Sequence, residues 1–328
     1  MKVLVTGANG LIGQHLVKRL LSQKHEVTAF VRKTSNLVML KNFLNLKYAY
    51  GDVRDFESLD KAVQGKDIVF HLAAVVHLPY KEEQTYYDVN VNGTENVLKA
   101  CLNNKNLKKL VHCSSVGCYA PSQNRIYEDS SCHSQSLYGL SKYMAEKLIK
   151  EFAKKYSLPY VVVRPARVYG PGDKTLLPLF EQVNKGRFVN FGKMDAKMMP
   201  IYVGDIVDAF IKCMELPVKD GQVYNLAGPK VLTTKEFMDT LALVMDKKVS
   251  RLTIPMPIVK FIALMVENVF GILNKDPPIS LKKLRFFTHS EVYDTKKAEE
   301  DLGFKPQVNL EQGLNALYDW YKKQKILK

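Results

Sequence analysis

Short apolar runs alternate along the chain with longer stretches whose apolar residues recur every three or four positions. Val3-Leu4-Val5 is too short for a helix and rich in β-branched residues, which predicts a buried strand. Leu11, Ile12, Leu16, Leu20 and Leu21 follow at helical spacing. Glu26–Val31 predicts a second strand, residues 45–50 a third, residues 67–71 a fourth and Lys109–Cys113 a fifth. A helix is expected to begin near Asp55 and a long one to cover residues 83–101. Another opens at Tyr138 and carries Met144, Leu148, Ile149 and Phe152 at helical spacing. Strands alternating with helices in this way predict an α/β fold built on a parallel sheet covered on both faces.

The glycines of Thr6-Gly7-Ala8-Asn9-Gly10-Leu11-Ile12-Gly13 fall between the first strand and the first helix. There the helix dipole and its free N–H groups attract phosphate, and glycine lets the backbone approach a pyrophosphate closely. The plain alternative is a tight turn that binds nothing; the strand before it and the helix after it favour binding. In a dinucleotide-binding unit an acidic residue at the end of the second strand holds the ribose hydroxyls. Here Val31 stands in that place, followed by Arg32 and Lys33. Two cations suit a 2′-phosphate, so NADP(H) is favoured over NAD(H). After the third strand, the Asp52 carboxylate of Gly51-Asp52-Val53 can accept the adenine amino group, or cap the helix near Asp55. The small residues of Leu72-Ala73-Ala74 let a ribose or nicotinamide lie against the backbone at the fourth strand's end.

Tyr138 and Lys142 are four apart, so they share one helical face. A tyrosine is a poor acid or base near neutral pH, and a neighbouring ammonium favours its phenolate. Ser115, at the end of the fifth strand, can donate a hydrogen bond to a substrate oxygen. Tyr-x-x-x-Lys alone is common on helix surfaces; the phosphate loop and the serine upstream make the set specific.

With these residues the sequence resembles the extended short-chain dehydrogenases/reductases, which include the NAD-dependent epimerase/dehydratase group. The resemblance covers nearly the whole chain. It rests on Thr6-Gly7-x-x-Gly10-x-x-Gly13, Gly51-Asp52-Val53, His71-Leu72-Ala73-Ala74, Asn90-Val91-x-Gly93-Thr94, Ser114-Ser115, Tyr138-x-x-x-Lys142 and Arg164-Pro165-x-x-Val168-Tyr169-Gly170-Pro171, with Leu302-Gly303-Phe304-x-Pro306 near the end. It implies a Rossmann-type, doubly wound parallel sheet with a smaller, mostly helical substrate domain. The cofactor domain would span 1–166, with 200–227 returning to it, and the substrate domain 167–199 and 228–328. By resemblance Tyr138 is the catalytic acid/base, Lys142 lowers its pKa and holds the nicotinamide ribose, and Ser115 polarises the reacting C–O group. Asn90 supports the active-site backbone, and Pro165 joins Gly7, Asn9, Gly10, Leu11, Ile12 and Gly13 among the expected cofactor contacts. A homodimer is the family's usual assembly.

The substrate half departs from the family pattern. Val116 and Gly117 stand where 4,6-dehydratases carry an Asp-Glu pair, which argues against that reaction. Arg167 replaces an asparagine that contacts the nucleotide in nucleotide-sugar epimerases, and Met198 an arginine, whereas Arg285 lies roughly where a third family arginine would be. A nucleotide sugar remains slightly favoured. An apolar alcohol or ketone, as in the 3β-hydroxysteroid dehydrogenase and dihydroflavonol reductase branches, is the alternative. A non-catalytic, cofactor-sensing or RNA-binding relative is the rival of a different class.

Composition narrows the rest. The formal charge of +15 is spread over single lysines such as Lys147, Lys150, Lys154 and Lys155, a solvated surface more than a nucleic-acid stripe, so no nucleic-acid partner is expected. Five cysteines without a C-x-x-C pair predict reduced thiols in a cytoplasmic protein and no zinc site. His71, His77, His112 and His133 have no metal-ligand spacing, and no metal is expected. Met1-Lys2 leads straight into the first predicted strand, so no signal peptide is expected. Residues 254–273 are notably apolar but carry Lys260 and Glu267; a helix packed on the substrate pocket is favoured over membrane contact, with no stable membrane insertion expected.

Overall fold

A computed structural model describes residues 1–327 except 77–82, 121, 123, 219, 250, 251, 273–276 and 278; His77 and Leu273 therefore lie outside the described residues. Strands β1 (Lys2–Thr6), β2 (Glu26–Val31), β3 (Lys47–Tyr50), β4 (Ile68–His71), β5 (Lys109–Cys113), β6 (Tyr160–Pro165) and β7 (Gln222–Leu226) form one sheet in the order β7-β6-β5-β4-β1-β2-β3. Every pairing in it is parallel. β1 lies between β2 and β4, so the order reverses there, and a crevice opens outside the carboxyl ends of the strands. The register pairs Thr6 with His71 and His71 with His112, which brings those strand ends to one edge.

Two of the strands start later than their apolar pattern implies. Residues 37–46 are occupied by tight turns, with Leu40 N–H donating to Leu37 O and Leu46 N–H to Phe43 O. Asp67 stands just before β4, where its carboxylate accepts from Lys2 N–H at 2.7 Å and pairs with Lys108.

Alternate strand residues face opposite layers, as the pleat requires. Val3, Val5, Phe70, Val111 and Val161 pack with Leu16 and Leu20 of α1 (Leu11–Ser22). Leu4, Val69, Leu110 and Val162 face the other way, onto Leu59 of α2 (Phe56–Val63), Val97 of α3 (Gly93–Asn103) and Ile149 of α4 (Leu137–Tyr156). The long helix expected over 83–101 is not continuous. A helical turn at Gln84–Tyr86 passes into a π-helical turn at Tyr87–Asn92 before α3 begins. Such a widened turn is a common mark of a functional site.

The second cluster lies in the C-terminal part. There α5 (Leu177–Asn184), α7 (Thr234–Val244) and α11 (Leu310–Lys323) pack through Phe180, Phe237, Leu241, Leu314 and Tyr321. Between β6 and β7 runs α6 (Val203–Glu215), which buries Ile206 and Phe210 against the sheet's first layer. Thr233 with Glu236, and Asn309 with Gln312, form capping boxes that fix where α7 and α11 start.

The apolar segment forms α8 (Met256–Ile272). Its inner residues Val259 and Ala263 pack on Leu284 of α9 (Leu281–Thr288). The outer ones face solvent, so packing on the substrate lobe describes only half of this helix. Among the described residues no helix is long and apolar enough to cross a membrane. A short helix, α10 (Lys296–Leu302), packs against β7 and precedes α11.

Candidate active site

Gly7 adopts φ +66°, and a Cβ there would lie 2.7 Å from the backbone of Leu72 and Ala73, so only glycine brings the two loops this close. Gly10 precedes α1 in an extended conformation, with no side chain capping the helix and no acidic residue in its first turn. The first N–H groups of α1 are thus left for an anion. Asn9 and Gly10 are exposed at the tip, Leu11 and Ile12 are half-buried, and Gly13 is buried behind them. This cradle fits a dinucleotide pyrophosphate.

A directed chain of hydrogen bonds holds the neighbouring strand ends. Ala73 N–H donates to Thr6 Oγ1 at 3.2 Å, and Thr6 Oγ1 lies 2.8 Å from His71 Nδ1. His71 Nε2 lies 3.0 Å from Thr94 Oγ1, whose hydroxyl donates to Asn90 O at 2.7 Å. Donors and acceptors balance only if His71 is neutral with its proton on Nε2. Burial holds its pKa down to about 3, with the Lys142 charge adding to the shift. The Asn90 side chain accepts from Val75 N–H at 2.8 Å and donates to Val75 O and to Ser141 Oγ. Asn90 therefore ties the segment after Leu72-Ala73-Ala74 to α4, and it does so from within the π-helical turn.

At the ends of β5 and α4 stand Ser115, Tyr138 and Lys142. Ser136 caps α4, accepting from Gly139 N–H at 3.1 Å. Gly139 touches the loop after Ser115 so closely that a Cβ would sit 1.9 Å from Gly117 O. Cys132 adds a thiol contact to Cys118 at 3.2 Å; all five cysteines are free thiols. These contacts seat Tyr138 against Ser115, which hydrogen-bonds to the phenol. Tyr138 keeps some solvent access although protein surrounds it, as a side chain on a cleft floor does. Burial pushes its pKa well above 10, Cys113 adds to the rise, and Ser115 opposes it.

Lys142 is buried one helical turn along α4 from Tyr138. Its Nζ lies 3.4 Å from His112 Nε2, with burial lowering its pKa against the pull of Cys113 and Glu146. Burial, Lys142 and His71 in turn hold His112 far below the ordinary imidazole range. Neutral His112 accepts from the ammonium, which leaves its Nδ1 proton buried and without a hydrogen-bond partner.

Beneath this layer lies a buried ion pair that the sequence reading did not single out. Arg164 donates to both Glu146 oxygens, at 3.0 and 2.6 Å, to Tyr119 Oη and to Glu128 O. Ser114 Oγ donates to Glu146 as well. Burial works against the Arg164 charge, but the bonds from Glu146 outweigh it and raise its pKa.

Toward the adenosine end, Val31 and Val53 are buried and Arg32 is exposed. Asp52 does not cap α2; Asp55 does, accepting from Glu57 N–H at 3.1 Å. Asp52 instead forms a two-pronged pair with Arg54, at 3.0 and 2.9 Å, which holds its carboxyl below the ordinary range. The sequence reading missed Arg54, whose role comes from the turn after β3. Pro165 is buried at the end of β6. On the substrate side the Arg167 guanidinium lies over the Phe286 ring, 4.7 Å from its centre. Among the described residues it forms no ion pair. Its side chain is exposed, yet the protein atoms around it lower its pKa against the pull of Glu291, Asp173 and Tyr293. Arg285 is half-buried beside Phe286. Met198 pairs with Leu232 and packs toward the Phe237 cluster. No group of three metal-ligating side chains occurs among the described residues.

A doubly wound sheet with a pyrophosphate cradle at its switch point and a Ser–Tyr–Lys set beside it defines a Rossmann-type oxidoreductase of the extended short-chain dehydrogenase/reductase class. Residues 3–227 match the NAD dependent epimerase/dehydratase family, and the chain belongs to it. The UDP-glucose 4-epimerase of Vibrio cholerae is 29% identical over 95% of this chain and 92% of its own length. The 2-alkyl-3-oxoalkanoate reductase of Shewanella oneidensis is 26% identical over 95% and 84%. A solved structure of UDP-glucuronic acid 4-epimerase from Bacillus cereus in complex with NAD is 25% identical, covers 99% of both chains and superposes with a TM-score of 0.80.

Proposed function

We propose that this enzyme moves a hydride at a secondary alcohol or ketone carbon of a nucleotide-linked sugar, and that it prefers NADP(H). The observation that carries the substrate is Arg167: a cation with no ion-pair partner among the described residues, braced on Phe286 and exposed, is a ready counter-charge for a diphosphate. Arg32 and Lys33, both exposed just after β2, support the preference for a 2′-phosphate.

When bound, the nicotinamide group supplies or accepts the hydride. Ser115 orients the reacting oxygen. Tyr138, held as a phenol by burial, gives its proton to the oxygen as a carbonyl is reduced, and takes it back as an alcohol is oxidised. Lys142 would supply positive charge for the phenolate and hold the cofactor ribose, with His112 anchoring its ammonium. The same reading takes the protein as a homodimer in a reducing, cytoplasmic setting, consistent with its free thiols.

A second reading, an apolar ketone, is favoured by Met198 and by the reductase named among the relatives. Thermal denaturation separates the two, because a ligand that binds only the native state raises the melting temperature. UDP added on top of NADP is expected to raise it further, and Arg167→Ala is expected to abolish that second shift while keeping the first. A shift with cofactor but none with UDP would overturn the nucleotide-sugar reading in favour of the apolar one.

A further inference from the structure

We infer that α8 docks the protein onto an anionic lipid bilayer, lying in the plane of the headgroups with its outer stripe in the acyl boundary. Ile258, Phe261, Ile262, Met265 and Val269 follow one another at helical spacing and all face outward. Phe261 is 65% exposed, Met265 53%, Val269 51% and Ile258 50%, although the opposite face is already buried against α9. A helix with large apolar side chains on two opposite faces, only one of them packed, leaves a patch that water alone does not explain. Leu252, in the segment before the helix, is 64% exposed as well.

Charge selects the occupant. Residues 246–285 hold eight lysines and arginines against three acidic residues. The acid on α8, Glu267, is turned to the start of α9, where it accepts from Leu281 N–H at 3.0 Å. Lys260 is exposed on the same helix, and Lys247 and Lys248 are exposed on the segment that precedes it. Anionic phospholipid complements an apolar stripe carried by so basic a segment. A second copy offers no counter-charge, because its own segment carries the same excess of cations. With 17 residues the helix is about 26 Å long, too short to span the hydrocarbon core, so it lies along the surface. Its inner face rests on α9, which also carries the Phe286 ring under Arg167, so the docked side adjoins the substrate lobe.

The test is sedimentation of the full-length protein with vesicles of phosphatidylcholine alone and of phosphatidylcholine mixed with phosphatidylglycerol. The protein is expected to pellet with the mixed vesicles, to be released by salt, and to stay in solution with phosphatidylcholine alone. Phe261→Asp with Met265→Asp is expected to lower partitioning by about tenfold or more, with the NADP-dependent melting shift intact. Lys260→Glu, which leaves the apolar stripe in place, is expected to weaken binding to the mixed vesicles only. Wild-type protein left in the supernatant of the mixed vesicles, or a double variant that pellets as well as wild type, overturns the inference. So does light scattering that shows a dimer becoming a monomer in the double variant, since the stripe would then be covered by a second copy.

Discussion

Tyr138 meets Ser115 on the cleft floor, and burial keeps its proton in place until a substrate oxygen arrives. Tyr138→Phe removes that proton while leaving the ring's packing, so kcat is expected to fall by about a hundredfold or more with cofactor affinity nearly unchanged. Stopped-flow turnover and a cofactor titration check both halves; normal turnover would remove the proposed acid/base. Arg32 is a different kind of residue, exposed and acting on one ligand group. Arg32→Ala is expected to weaken NADPH binding by about tenfold and NADH binding hardly at all; an equal loss for both would make Arg32 a bystander. Tyr138 and Lys142 were legible because a spacing of four puts two side chains on one helical face. The lysine's partner was not legible. His112 reaches Lys142 only through the alignment of β5 with α4, and no local pattern in the sequence encodes that distance.

Strand and helix periods made β1, β2, β5, α1 and α4 readable, because each buries one regular face. The π-helical turn was hidden for the opposite reason. Asn90 turns inward to clamp Val75, and that long-range bond overrides an otherwise unbroken helical pattern. The link between α4 and β6 was equally silent, since neither Glu146 nor Arg164 departs from what a surface helix or a strand end can carry. Their side chains are only 8% and 6% exposed, and the closest approach is 2.6 Å. Breaking a buried pair from one side strands a charge, so Glu146→Ala is expected to cost about 3–5 kcal/mol in urea unfolding. Removing both charges is expected to cost much less, and Glu146→Leu with Arg164→Met should recover most of the loss. A double variant as unstable as the single one would mean that Ser114 and Tyr119, rather than the ion pair, depend on these groups.

At the scale of the molecule, β1, β4, β5, α3 and α4 are joined through two neutral imidazoles, and this makes stability sensitive to pH. His71 stands at about 3 in the folded protein against an ordinary 6.5, chiefly because it is buried and secondarily because of Lys142. A lowered imidazole pKa means that the unfolded chain takes a proton which the native one refuses. The contribution is therefore complete above about pH 6.5 and is lost as pH falls from there toward 3. At pH 5 the loss from His71 alone is about 2 kcal/mol, and His112 shifts in the same direction. Asp52 and Asp67 are held below the ordinary carboxylate range, so their contributions fade only at still lower pH, whereas Glu128 and Asp205, raised by burial, take up protons in the folded protein and offset part of the imidazole loss. Urea midpoints at pH 7.5 and 5 are expected to differ accordingly, and the difference should shrink in His71→Asn, which cannot take up the proton. Equal midpoints in the wild-type protein would mean that the imidazole is protonated inside the folded sheet. The hydrogen-bond chain from Ala73 to Asn90 would then have to run in another direction, and the loops that border the cofactor cradle would lose the support assigned to them.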